Sequence, residues 1–430
     1  MSKPISYTPP NVADPVPGAV ARRHVFYLPG YDPEGRTRYR LLFVRELSRY
    51  AKRFGEPRRE ISRAEVSADG LVQSWTVAAA CGGARVAYDV LLWDDIVMRD
   101  FARPRLASIG LLVLGTLHAL AAGALFRFYR MNWKYGNVIL YPFVMLSLLA
   151  LATTAIAGLV HAHLGDTFGH SLGLPIWASI PLGILAAVIW VRAIEAFLNR
   201  IFFWQLLNDW VFNWQHGQGW RRDYDRRLDV FADYALARLA ALTAPGMPAI
   251  DEVMIVGHSS GGLTAVELAA RLIARSPRLG IDGPSLALVT LGSSLPLVAI
   301  QPRAGAVRAE IASLVTSRRI VWVDYGAPQD WMNFPGFNPS HELDLPLAPG
   351  APIANPVLRS ARFRDIIDED TYRKVRARPF RMHFQFLMAN DRPGAYDFFK
   401  MTLGPERLRE RAFAHQPGVA PAPAASPPGG

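Results

Sequence analysis

The stretch Val253 to Gly262, VMIVGHSSGG, sets four apolar residues before a Gly-His-Ser-Ser-Gly turn and then residues able to begin a helix. A serine on a tight strand-to-helix corner presents its hydroxyl clear of the sheet. Small residues two before and two after it leave room for the strained backbone and for a substrate. Gly257 and Gly261 meet that spacing about Ser259, whereas Ser260 fails it because His258 stands where a small residue is needed. A serine hydroxyl is a weak nucleophile until a neutral imidazole takes its proton, and a carboxylate must hold that imidazole in the right tautomer. The chemistry indicated is acyl transfer through Ser259, with the positive end of the following helix aimed at a developing oxyanion.

Such a corner needs a sheet beneath it. HVFYLPGYD (His24 to Asp32) reads as a strand running into a glycine turn, RYRLLFVRELSRYAKRFG (Arg38 to Gly55) as an amphipathic helix, and RVAYDVLLWDD (Arg85 to Asp95) as a strand. Between the last two, EISRAEVSADGLVQSWTVAAA reads as a hairpin about Asp69-Gly70. Beyond the serine come the helix GLTAVELAARLIARS (Gly261 to Ser276), the apolar run LALVTLGSS (Leu286 to Ser294), a helix from Val307 to Ser317 and the strand RIVWVDYG (Arg319 to Gly326). Strands alternating with helices predict an α/β fold with a mostly parallel sheet covered on both faces.

At these residues the chain resembles the α/β-hydrolase superfamily, its lipase and esterase members in particular. The likeness covers about residues 23 to 95 and 250 to 390. It implies a triad in the chain order Ser, Asp or Glu, His, and an oxyanion hole made by the amide after the serine and one from an earlier strand-to-helix loop. On this sequence those are the amide of Ser260 and one near Gly30 or Tyr31, where LPGYD stands in place of the family's HGGG form. The resemblance puts the acid past the strand that follows LALVTLG, within VDYGAPQDW. Asp324 ends that strand and Asp330 lies in the loop beyond, where the family places its acid, so Asp330 is preferred and Asp324 is the alternative. Of the three later histidines, His341 is close to the acid and His415 lies in a Pro/Ala tail, whereas His383 in RPFRMHFQFLMAN is far enough downstream to serve as base. No cofactor or metal is expected, since there is no HExxH helix or Cys cluster and HAH at His161 and His163 has only Asp166 and His170 nearby.

Composition sets the surroundings. Charged residues make up only 19% of 430 and the mean hydropathy is +0.12, which leans toward membrane segments. The net charge of +11 comes without zinc spacing or an RNA-binding signature, so an anionic bilayer surface is the expected partner and nucleic acid is not. One cysteine, Cys81, excludes an intrachain disulfide. Three stretches lack Asp, Glu, Lys and Arg: 106–126, 135–160 and 171–191. Each is long enough to cross a bilayer as a helix. Arg and Lys flank the first stretch and follow the third, while HAHLGDTFGH has neither, which puts that loop outside and the hydrolase domain on the cytoplasmic side. If residues on both flanks build one sheet, three crossings are impossible. The second and third stretches are then a spanning hairpin, and the first is re-entrant or lies against the bilayer. The Trp-rich segment at about 197–215 suits an interfacial amphipathic helix.

The resulting organisation is a flexible N-terminal segment (1–22) with no signal-peptide pattern, a first hydrolase part (23–105), a membrane insertion (106–220), a second hydrolase part (221–403) and a disordered Pro/Ala-rich tail (404–430). The expected function is a multi-pass membrane serine hydrolase acting on a small-molecule lipid or acyl ester, the insertion serving as tether or cap. The same serine also suits an acyltransferase, and the same fold an inactive scaffold.

Overall fold

The structure is a computed structural model that describes residues 19–80, 83–167 and 175–413. Most of the N-terminal lead, Cys81, part of the loop between the second and third apolar stretches, and His415 with the tail from residue 414 lie outside the described residues. The strands are β1 (Arg22–Leu28), β2 (Glu65–Val66), β3 (Val72–Val77), β4 (Arg85–Leu91), β5 (Glu252–His258), β6 (Ser285–Leu291), β7 (Val321–Gly326) and β8 (Val357–Ser360). Helices before and within the insertion are α1 (Gly35–Phe54), α2 (Asp94–Phe101), α3 (Arg105–Ala121), α4 (Ala124–Met131), α5 (Trp133–Thr167), α6 (Ile180–Arg200) and α7 (Phe203–Gly217). After it come α8 (Arg222–Leu242), α9 (Ser260–Arg275), α10 (Leu295–Ala299) and α11 (Gly305–Val315), followed by shorter helices.

Among the described residues the eight strands form one sheet in the order β2-β3-β4-β1-β5-β6-β7-β8. From β4 to β8 neighbours run parallel, and β2 and β3 add an antiparallel hairpin at one edge. The central strand β1 pairs with β4 on one side and β5 on the other, so Val25 stands opposite both Tyr88 and Met254. Residues before and after the insertion therefore build a single sheet. The chain divides into two units, residues 1–97 with 217–430, and residues 98–216.

In the sheet unit, α1 packs an i, i+3, i+4, i+8, i+11 stripe of Tyr39, Leu42, Phe43, Leu47 and Tyr50 against Val25, Tyr27, Trp75, Tyr88 and Val256. Full burial of each of these apolar side chains is worth about 1.5–3 kcal/mol. Gly55 ends α1 in the left-handed conformation, where a side chain is disfavoured. The other face is covered by α8 and α9, tied together where Tyr224 Oη donates to Glu267 Oε2 at 3.0 Å and lies within hydrogen-bond distance of Thr264 Oγ1 at 2.9 Å. Asp89 is fully buried, yet it meets His24, Ser74, Tyr234 and Arg238. These partners outweigh the burial and bring its carboxyl down to about 2.

The segment 404–413 departs from the expected disordered tail. Arg23 pairs with Glu252 at 2.7 Å in the interior, and its remaining donors reach the carbonyls of Thr402, Gly404 and Glu406. Glu252 in turn accepts from the Leu408 amide. A guanidinium presents several donors in a fixed fork, and here it anchors chain whose composition alone reads as loose.

In the second unit, α5 is 35 residues long and α6 is 21. The segments Trp133–Thr167 and Trp177–Arg200 are each long and apolar enough to cross a membrane. They pack closely at Gly183, where a Cβ would lie 2.9 Å from the Ala157 carbonyl oxygen. Small residues of this kind let helices approach within lipid. The first apolar stretch is interrupted instead of forming one helix, because Gly123 at φ 71° separates α3 from α4. The Trp-rich segment begins as α7 at Phe203, not 197, since α6 runs to Arg200. Its Trp210 meets the Phe128 ring edge-on at 6.1 Å and its Trp214 Nε1 reaches His118 Nδ1 at 3.3 Å, so these two face α4 and α3 rather than outward.

Candidate active site

Strand β5 ends at His258 and α9 begins at Ser260, which leaves Ser259 as the corner. Its backbone holds φ 60° and ψ −128°, a conformation costing a non-glycine residue on the order of 1–3 kcal/mol. Neighbouring chain keeps it there: the Ser259 amide donates to the Leu291 carbonyl at 3.0 Å, and its own carbonyl accepts from Gly262 at 2.9 Å and Ser294 at 3.3 Å. The flanking glycines are required by space. A Cβ on Gly257 would fall 2.1 Å from the Gly261 carbonyl oxygen, and one on Gly261 would fall 2.2 Å from that of Leu28. Ser260 is buried in the first turn of α9, where amides point along the axis toward the serine. The Ser260 hydroxyl accepts from Ser294 Oγ at 3.3 Å and so belongs to the packing.

Asp330 and His383 come together. Nδ1 of His383 lies 2.7 Å from Asp330 Oδ2, and both side chains are buried. Asp330 Oδ1 accepts from the Met332 amide at 2.9 Å, so both oxygens are engaged. Asn333 fixes the loop by donating to the carbonyls of Ala327 and Asp330 and accepting from the Ala327 amide. His383 closes the short helix Pro379–His383, and its Nε2 is buried with no hydrogen-bond partner among the described residues. Its Cε1 would be 3.2 Å from a Cβ on Gly292, the residue after the Leu291 that holds the Ser259 amide. The imidazole therefore sits in the immediate surroundings of the elbow.

Asp324 is not brought to His383. Along β7, Val323 and Tyr325 join the core that includes Phe386, whereas Trp322 and Asp324 alternate to the opposite face. There Asp324 accepts from Thr290 Oγ1 at 2.5 Å, and burial pushes its carboxyl up to about 7. His341 lies exposed on the short helix Pro339–Glu342.

Gly30 lies against the elbow. Its amide donates to the Tyr39 hydroxyl at 3.0 Å, while a Cβ there would be 3.1 Å from Ser259 Cβ. It gives the serine room and spends its N–H on the Tyr39 hydroxyl. Tyr31 is buried beside Trp93, with ring centroids 5.9 Å apart. Next to it, burial raises the Asp32 carboxyl against the pull of Arg38, whose Nε lies 3.2 Å away.

Two residues that sequence reasoning passed over belong to this surrounding. Asn333 lies three positions past the preferred acid and was not separable from ordinary loop polarity. His258 was read only as the side chain that disqualifies Ser260; it is buried and contacts His383. Among the described residues no group of three or more His, Cys, Asp or Glu is placed to hold a metal ion. Comparison with protein families, with curated proteins and with solved structures finds no match to this chain.

Proposed function

We propose that this chain is a membrane-embedded serine hydrolase of α/β-hydrolase type that cleaves a lipid or acyl ester. The observation that carries the reading is the 2.7 Å bond between Asp330 and His383 beside a serine held at φ 60° between a strand and a helix N-terminus. In this reading His383 Nε2 takes the Ser259 proton as Oγ attacks the acyl carbonyl, and Asp330 orients the imidazole and stabilises the imidazolium. The Ser260 amide and the end of α9 stabilise the oxyanion, and Tyr31 remains the loop's second candidate donor. His383 then protonates the leaving alcohol, and water, deprotonated by the same histidine, releases the acid from Ser259.

The two long apolar helices support a membrane setting. Because β4, β1 and β5 belong to one sheet, a bilayer crossed by the insertion is crossed an even number of times. A spanning hairpin of α5 and α6 satisfies this and keeps the sheet unit on one side, the cytoplasmic one by the Arg and Lys that flank the apolar stretches. Tethering to lipid favours apolar esters over soluble ones.

The test is reaction of isolated membranes with a fluorophosphonate probe, comparing the natural chain with Ser259→Ala and His383→Ala. Labelling that disappears with Ser259→Ala and falls with His383→Ala supports the reading. An intact natural chain that stays unlabelled overturns it.

A further inference from the structure

We propose that His258, the residue before the nucleophile, is a positioning residue that holds the base in register with Ser259: it donates Nε2–H to the His383 carbonyl and lays its ring against the His383 ring. The inference rests on reading Ser259 and His383 as nucleophile and base. The bond is 3.1 Å long, is buried, and joins positions 125 residues apart. The ring centroids are 4.6 Å apart with an interplanar angle of 37°.

The surroundings fix which form of His258 does this. Its Nδ1 is buried and has no hydrogen-bond partner among the described residues. A proton there would be an unsatisfied donor in the interior, which is costly, so the ring is the neutral Nε2–H tautomer. Burial, and then the neighbouring His383, drive its affinity for a second proton well below that of an ordinary histidine. This matters for the reaction, because His383 becomes cationic as it takes the serine proton. A neighbour that also charged at this distance would oppose that step, and a ring held neutral does not.

The ring is confined on its other sides by Phe384 at 5.3 Å, Phe386 at 6.2 Å and Tyr39 at 6.5 Å. His383 is consequently held twice, at Nδ1 by Asp330 and at its carbonyl by His258. Since His258 is bonded covalently to Ser259, a shift of the elbow carries the base with it. Phenylalanine at 258 would supply a ring without the donor, and glutamine a donor without the ring; histidine supplies both.

The experiment is saturation kinetics of a fluorophosphonate on the full chain in detergent micelles, giving a maximal inactivation rate and a half-saturating concentration for the natural chain, His258→Phe, His258→Leu and His258→Gln. Small displacements of a catalytic group are expensive. We expect His258→Phe and His258→Leu to lower the maximal rate by about tenfold or more with half-saturation unchanged, and His258→Gln to recover most of it. Equal maximal rates in all four proteins would overturn the inference while leaving the nucleophile assigned. So would a loss that tracks a lowered melting temperature and is not recovered by glutamine. A folded natural chain that does not react at all removes the nucleophile reading, and this inference with it.

Discussion

Asp330 Oδ2 and His383 Nδ1 lie 2.7 Å apart across 53 residues of chain, with neither side chain more than 4% exposed. Asparagine at 330 keeps the shape but presents a donor or a neutral oxygen to a ring nitrogen that needs a carboxylate. We expect Asp330→Asn to slow fluorophosphonate reaction by about 10²–10⁴-fold. Asp324→Asn should leave the rate within a factor of about two, because its side chain faces the other side of the sheet; a comparable drop in both variants would refute the assignment of the acid.

Asp324 should shape stability instead. Burial pushes its carboxyl up to about 7 in the fold, from an ordinary value of 3.8. Between those values the unfolded chain has already released the proton while the folded chain keeps it, so stability falls as pH rises through that window. The loss is on the order of a few kcal/mol. Thermal scans in detergent at pH 5 and pH 8 should show a smaller difference for Asp324→Asn than for the natural chain.

Gly261 has no room for a side chain, since the 2.2 Å approach to the Leu28 carbonyl oxygen is to backbone. Gly261→Ala must displace the β1 end or the elbow. We expect a destabilisation of about 3 kcal/mol or more together with loss of probe reaction, read from denaturant unfolding. Full stability in that variant would show that the corner relaxes freely.

Arg23→Met would strand Glu252 in the interior and free three carbonyls near the C-terminus. Breaking a buried pair from one side typically costs about 3–5 kcal/mol. Limited proteolysis should then cleave within 402–413 before the rest of the sheet unit, and retention of that segment at natural rates would count against the anchor.

For the membrane topology, single cysteines placed near Lys134 and near Arg200 in a Cys81→Ser background should react with an impermeant thiol reagent from the same side of the bilayer. A cysteine at Asp166 should react from the opposite side. Reaction of all three from one side would eliminate the spanning hairpin.

Much of this was legible in the residues. Alternating strand and helix patterns located β1, α1, β4, β5, α9, β6, α11 and β7 to within a few positions, because apolar periodicity reflects which face is buried. Asp69-Gly70 marked the β2–β3 turn through its turn chemistry, and Gly70 takes φ 73° there. Charge-free runs marked α5 and α6, whose length and apolarity suffice to cross a membrane. β8 was not legible: four residues carry too few alternations to stand out. Nor was the break at Gly123, since a glycine within an apolar run reads equally as helix interior or as a stop.

Taken by itself, the sequence determined the strand-to-helix corner at Ser259, because the spacing of Gly257, Ser259 and Gly261 is a local steric requirement that five residues express in full. It also determined the apolar segments, since hydropathy sums along the chain without regard to contacts. Tertiary structure alone decided which carboxylate meets which imidazole. The one-residue alternation of β7 sends Asp324 away, and the loop held by Asn333 brings Asp330 across 53 residues to His383. It alone showed that Gly30 spends its amide on Tyr39 and that His258 reaches His383. Such relations are distances between segments remote in sequence, and they exist only once packing has fixed where each segment lies.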